Sequence, residues 1–104
     1  MDLEVILPEL KQRLLGLYGE RLKGLYLFGS RARGDAREDS DVDVLMVLDD
    51  YESAFAEIQR TAEIASDLSL QCESVISLIP TRYRDWVSQE RPLVVNVRRE
   101  GVVV

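Results

Sequence analysis

Residues 25–48 read LYLFGSRARGDAREDSDVDVLMVL, two apolar runs separated by a polar stretch. The aliphatic, aromatic and β-branched residues on either side are those of buried strands, and the sequence predicts strands over 22–28 and 41–48. Gly29-Ser30 breaks the first run, 31–33 begins a short helical turn, and 34–40 forms a polar connection. Between the flanks lie Gly29, Ser30, three arginines and four aspartates, a concentration that solubility alone does not require.

Outward from this stretch the chain alternates between helical and strand patterns. On the N-terminal side, Leu10, Leu14, Leu15 and Leu17-Tyr18 give a helical stripe, with Pro8 near the first turn and Gly19 near the end. On the C-terminal side, Asp49-Asp50 is placed to cap a helix over about 51–66, with Phe55, Ile58, Ala62 and Ala65 as its inner face. A third strand is expected over 68–78, ended by Pro80, and a short helix over 82–88. The segment 94–97 is open between helix and strand, and 101–104 reads as a last short strand or an extended end. No repeat or linker interrupts the pattern, so one domain over 1–104 is expected. The order predicts an α/β (α+β) fold, a small mixed sheet whose two long helices cover one face. The other face would stay largely free, which makes dimerisation or complex formation plausible.

Composition narrows the function. A net charge of −6 argues against holding duplex nucleic acid by phosphate neutralisation, although it leaves a nucleotide ligand open. Cys72 is the one cysteine, so no internal disulfide forms and a reducing, cytoplasmic setting is expected. The absence of histidine removes His-based triads and HExxH zinc sites. The acidic start, MDLEVILPEL, does not fit a signal peptide, and no apolar run approaches the roughly 20 residues of a membrane span.

Within the polar stretch, strand alternation puts Asp41 and Asp43 on one face, about 7 Å apart at Cα, with Val42 and Val44 turned to the core. Two adjacent carboxylates repel unless a cation joins them or one is protonated. Mg²⁺ favours such oxygen ligands and leaves room for substrate phosphates. Gly29 permits close backbone approach to a ligand, the Ser30 hydroxyl can meet phosphate oxygens, and Arg31, Arg33 and Arg37 can neutralise a polyphosphate. Each element also has a plainer reading: an ordinary turn, a solvated strand edge, solvated arginines. The run from Asp39 to Asp43 mimics a calcium loop, but Val44 stands where that loop needs glycine. Trp86 and Tyr83 can serve either to stack on a base or as core and interface residues.

The run GSRARG at 29–34, followed by SDVD at 40–43 and an apolar strand, resembles the GSxxxG…DxD signature of the polymerase-β-like nucleotidyltransferases. The short chain and the ending RPLVVNVRREGVVV at 91–104 are similar to the minimal nucleotidyltransferases of bacteria and archaea. The resemblance implies a polymerase-β-like fold and transfer of AMP from ATP to a hydroxyl. It places Gly29 and Ser30, with Arg31 and Arg33, at the phosphates and Asp41 and Asp43 on two Mg²⁺ ions. A third carboxylate on a later strand completes the family's metal site. Here it is assigned to Glu73, where an aspartate would be expected, as metal ligand and as base. The resemblance also implies a partner, a helical HEPN-type toxin adenylylated on tyrosine, with this chain as antitoxin. The alternative is a module that neutralises the partner by masking it, which Glu73 and the lack of an acceptor-binding domain favour. Transfer to a small molecule ranks below both.

Overall fold

The computed structural model describes residues 2–37 and 40–104. Of the polar connection over 34–40, Glu38 and Asp39 lie outside the described residues. The elements are α1 (Leu3–Tyr18), a 3₁₀ turn (Gly19–Arg21), β1 (Leu22–Phe28), α2 (Ser30–Arg33) and β2 (Val42–Leu48). Then follow α3 (Ala54–Cys72), β3 (Ile76–Arg82), α4 (Tyr83–Ser88), α5 (Pro92–Glu100) and β4 (Val102–Val103). The strands form one mixed sheet in the order β3-β2-β1-β4, in which β2 runs antiparallel to β1 and parallel to β3. The expected α/β class is borne out.

Helix α1 starts at Asp2, whose carboxylate accepts the Glu4 N–H at 3.3 Å. Pro8 therefore falls in the second turn rather than the first, on the exposed side of the helix. Ile6, Leu10, Leu14 and Tyr18, four apart, form the buried stripe. With α3 they close a large core on one face of the sheet, against Leu25 and Leu27 of β1 and Val42, Val44, Met46 and Leu48 of β2.

Helix α3 departs from expectation at both ends and in its orientation. Its cap is Ser53, whose hydroxyl accepts the Ala56 N–H at 3.2 Å. Asp49 and Asp50 instead hold the preceding turn, pairing with Arg21 and Arg82. The buried stripe runs through Glu57, Thr61 and Leu68, and it leaves Phe55 67% and Ile58 45% exposed. Burial of two polar residues is possible because both are satisfied: Tyr18 Oη donates to Glu57 at 2.8 Å, and Thr61 Oγ1 donates to the Glu57 carbonyl at 3.0 Å. The helix also runs on through Leu68, Leu70 and Cys72, residues expected in a strand. It stops at Glu73, which adopts a left-handed φ of 57°.

Strand β3 accordingly starts late and contains Pro80 rather than ending before it. Val42 N–H donates to the Val75 carbonyl at 2.8 Å, and in a parallel pair this register turns the backbone polar groups of Ile76, Leu78 and Pro80 outward at the sheet edge while the Ile76 and Leu78 side chains stay buried. The outward N–H of Ile76 is taken by Ser69 Oγ at 2.9 Å, and Pro80 has no N–H to offer. Two of these three edge positions are thereby closed to strand addition.

The second face of the sheet is not left free. Val97 of α5 and Trp86 of α4 pack on Leu45, Val47, Tyr26, Phe28 and Ile79 in a smaller core. The end of the chain does form the expected short strand, β4, against Tyr26 and Leu27. Among the described residues no helix is long and apolar enough to cross a membrane.

Candidate active site

The turn after β1 and the start of β2 meet at one end of this second face. Val42 and Val44 are fully buried in the larger core, so Asp43 points to the opposite side with Leu45 and Val47. Asp41 has the same parity and lies exposed just before the strand. In register with Asp43 stand Phe28 on β1 and Ser77 on β3.

Gly29 is required here for two reasons. Its φ of 73° with ψ of −156° belongs to a region essentially restricted to glycine. A Cβ at this position would also come within 2.7 Å of Asp43 Oδ2. The Gly29 carbonyl accepts the Ala32 and Arg33 N–H groups, both at 3.1 Å, and starts the single turn of α2, which Gly34 closes in the left-handed conformation. The turn thus sets Ser30 beside the residue that abuts the Asp43 carboxylate.

Burial pushes the Asp43 carboxyl above its ordinary pKa, and the negative charge of Asp41 adds to the shift. Asp43, whose charge the fold disfavours, and the exposed Asp41 offer the carboxylate oxygens that a hard divalent cation such as Mg²⁺ prefers.

The structure does not bring Glu73 to this pair. It caps α3 and lines a groove with Ala65, Ser69, Leu70 and Val75 between the helix and the edge of β3. Among the described residues no group of three or more His, Cys, Asp or Glu side chains is placed to hold a metal. The cause is the late start of β3: the strand position beside Asp43 belongs to Ser77, four residues further on. The sequence contains a signal for it, a small polar residue between the buried Ile76 and Leu78, but not the register.

Arg31 is engaged within the chain. Its guanidinium donates to the Ser40 carbonyl at 2.9 Å and to Ser74 Oγ at 3.0 Å, fastening the entry of β2 to the α3–β3 turn. Arg33 forms looser, half-exposed pairs with Asp35 at 3.3 Å and Glu100 at 3.7 Å. The Arg37 backbone N–H is held by Ser40 Oγ at 2.8 Å. Trp86 has Tyr26 stacked on one face and the Arg98 guanidinium over the ring, each at 4.3 Å, so it serves the core rather than a base. Tyr83 is about half exposed.

Residues 3–98 match the nucleotidyltransferase domain family. A candidate protein adenylyltransferase of Methanocaldococcus jannaschii is 38% identical over 79 residues, covering 76% of this chain and 79% of the relative. The protein adenylyltransferase MntA of Thermococcus cleftensis is 35% identical over 75 residues, 72% of this chain and 74% of that one. Among solved structures, a chain of the Shewanella oneidensis complex between a tri-AMPylated HEPN toxin and an MNT antitoxin shares the fold. Its TM-score is 0.56 at 20% identity, over 96% of this chain and 69% of that one. A glycine turn set against Asp43 at a strand entrance, within a match that spans nearly the whole sequence, identifies the chain as a member of the nucleotidyltransferase domain family.

Proposed function

We propose that this nucleotidyltransferase transfers AMP from ATP to a tyrosine hydroxyl of a helical HEPN-type toxin and so acts as its antitoxin. The observation that carries this reading is Asp43 packed against Gly29, with Asp41 two residues before it and of the same strand parity. The names of the two archaeal relatives support a protein as acceptor, and that of the Shewanella complex supports a HEPN-type partner. In the reaction the acceptor oxygen bonds to the α-phosphorus, the bond to the bridging oxygen breaks, pyrophosphate leaves and the acceptor proton passes to solvent or a base.

The chain's own residues would divide this work. Asp41 and Asp43 hold Mg²⁺, which when bound supplies the positive charge that offsets the polyphosphate. Gly29, lacking a side chain, lets phosphate oxygens reach the backbone, and the Ser30 hydroxyl donates to them. Arg31 keeps the entry of β2 fixed, which holds Asp41 and Asp43 in place. Arg33, whose pairs with Asp35 and Glu100 are half-exposed and of little energetic weight, can exchange them for phosphate.

The test is intact-mass analysis of the HEPN-type partner after incubation with this chain, ATP and Mg²⁺. The expected result is one or more AMP additions on tyrosine, lost in Asp41→Asn/Asp43→Asn. The masking alternative draws support from Ser77, the uncharged neighbour of Asp43 on β3. Under that reading the partner gains no AMP and the double variant still neutralises it.

A further inference from the structure

The helical stripe of Phe55, Ile58, Ala62 and Ala65 is not spent on the core, because the fold buries Glu57, Thr61 and Leu68 of α3 instead. Phe55, Ile58 and Ala62 are exposed and Ala65 half-buried. With Ser69 these residues follow one another at intervals of three, four, three and four, the spacing of a seam between two helices. Ala54 and Ser66 flank them, and none of these seven residues is charged, over about 22 Å of helix. The edge of β3 forms the other wall of a continuous furrow. Ala65 and Ile76 line both its C-terminal and its middle part, and Ile58, Ser77 and Leu78 both its middle and its N-terminal part.

We infer that a second copy of this chain covers the furrow, the two α3 helices packing antiparallel about a two-fold axis at Ala62. A strand is a poor occupant, because Ser69 Oγ already takes the Ile76 N–H and Pro80 has none to give. A helix fits, since Ala62, Ala65 and Ser69 let another backbone come close. The distribution of bulk selects α3 itself. Turned end for end about Ala62, Phe55 of one copy meets Ser69 of the other, Ile58 meets Ala65 and Ser66, and Leu70 meets Ala54. Each large side chain thus enters a gap left by small ones, and the symmetry makes every such contact twice. Phe55 of the second copy enters the hollow between Ser69, Leu70 and Val75, and so covers Leu70, which is 78% exposed in the single chain. The charges agree. Exposed Glu73 borders one end of the furrow and Arg91 the other, where its pair with Asp85 is a loose 3.7 Å. An antiparallel pairing brings these unlike ends together.

Sedimentation of the whole chain alone over a concentration series tests the pairing. The expected mass is two chains for the wild type, falling towards one on dilution, and one chain at every concentration for Phe55→Asp and for Ala62→Glu. Both positions are exposed, so circular dichroism should show both variants folded, and either one suffices if the other is not. Across the axis the two Ala62 Cβ atoms come within disulfide reach. In a Cys72→Ser background, Ala62→Cys should therefore link into dimers on mild oxidation, whereas Glu63→Cys, turned away from the seam, should not. A wild type of single-chain mass throughout would overturn the inference, as would a dimer that survives both charged substitutions. A dimer that Ala62→Cys fails to link, or that Glu63→Cys links equally well, would overturn the two-fold arrangement. If the wild type is a single chain and Phe55→Asp instead abolishes AMP transfer to the HEPN-type protein, the seam serves that partner and the pairing of copies is wrong.

Discussion

At the scale of single residues, the site depends on a glycine that no other residue can replace and on a carboxylate that the fold alone disfavours. Gly29→Ala places a methyl group against Asp43 Oδ2 in a backbone conformation that costs on the order of 1–3 kcal/mol for other residues. The expected outcome is a fall in unfolding free energy of about that size in urea titration, with Mg²⁺-dependent ATP binding lost in calorimetry because Asp43 is displaced. Asp43→Asn should act in the opposite sense on stability. The folded state raises the Asp43 pKa by burial first and by Asp41 second, so its ionised form is less favourable in the fold than in the unfolded chain. Removing the charge in the presence of EDTA should therefore raise the melting temperature at neutral pH, and the gain should fade as pH falls through the raised pKa. Mg²⁺ should stabilise the wild type and leave the variant unchanged. A lower melting temperature for Asp43→Asn in EDTA would show that the carboxylate is satisfied by the protein alone.

At the scale of elements, β1, the glycine turn and β2 were legible because strand composition and turn chemistry agree there. The face of α3 was not, because its buried stripe contains Glu57 and Thr61, whose burial depends on partners that hydrophobicity does not reveal. The end of α3 was hidden for a different reason. Leu68, Leu70 and Cys72 alternate as in a strand, although Leu68 is buried and Leu70 is 78% exposed on the helix. That displacement moved the expected third carboxylate from a strand to a helix cap. Ser69 joins the two elements, donating to the Ala65 carbonyl at 2.6 Å while accepting the Ile76 N–H. Ser69→Ala leaves that edge N–H without its partner and should cost about 1–2 kcal/mol in chemical denaturation. It should also reopen the edge of β3, raising the tendency to associate in sedimentation experiments. The turn between β2 and α3 predicts a pH effect. Asp49 and Asp50 titrate below the usual range because each accepts a following backbone N–H, with Arg21 and Arg82 adding to the effect. A depressed pKa contributes stability above the ordinary carboxylate value, about 3.9, and loses it as pH falls through the folded value. Asp50→Asn should accordingly flatten the acid side of a melting-temperature profile and leave its slope near neutrality alone.

At the scale of the whole molecule, the sheet carries two unequal layers, and their difference predicts where the protein opens. The layer of α1 and α3 closes a core that includes Ile6, Leu10, Leu14, Leu68 and the inner side chains of all three long strands. It is tied further by the buried Tyr18–Glu57 hydrogen bond and the Arg13–Asp67 pair at 2.6 Å. The layer of α4 and α5 rests on Val97, Trp86 and the smaller core, and β4 adds a ladder of only two residues. Local opening costs less where fewer apolar contacts must be broken. Amides of α5 and β4 should therefore exchange with deuterium well before those of β2, which has a strand on each side. Nucleotide and Mg²⁺ should slow exchange over Gly29 to Gly34 and at the start of β2. The Arg33–Glu100 pair connects the glycine turn to the end of α5, so a phosphate that draws Arg33 away should leave α5 exchanging as fast as before or faster. Protection of α5 equal to that of β2 in the free protein would mean that the two layers unfold as one unit. The end of α5 would then act as a fixed wall of the site rather than as a cover that opens independently.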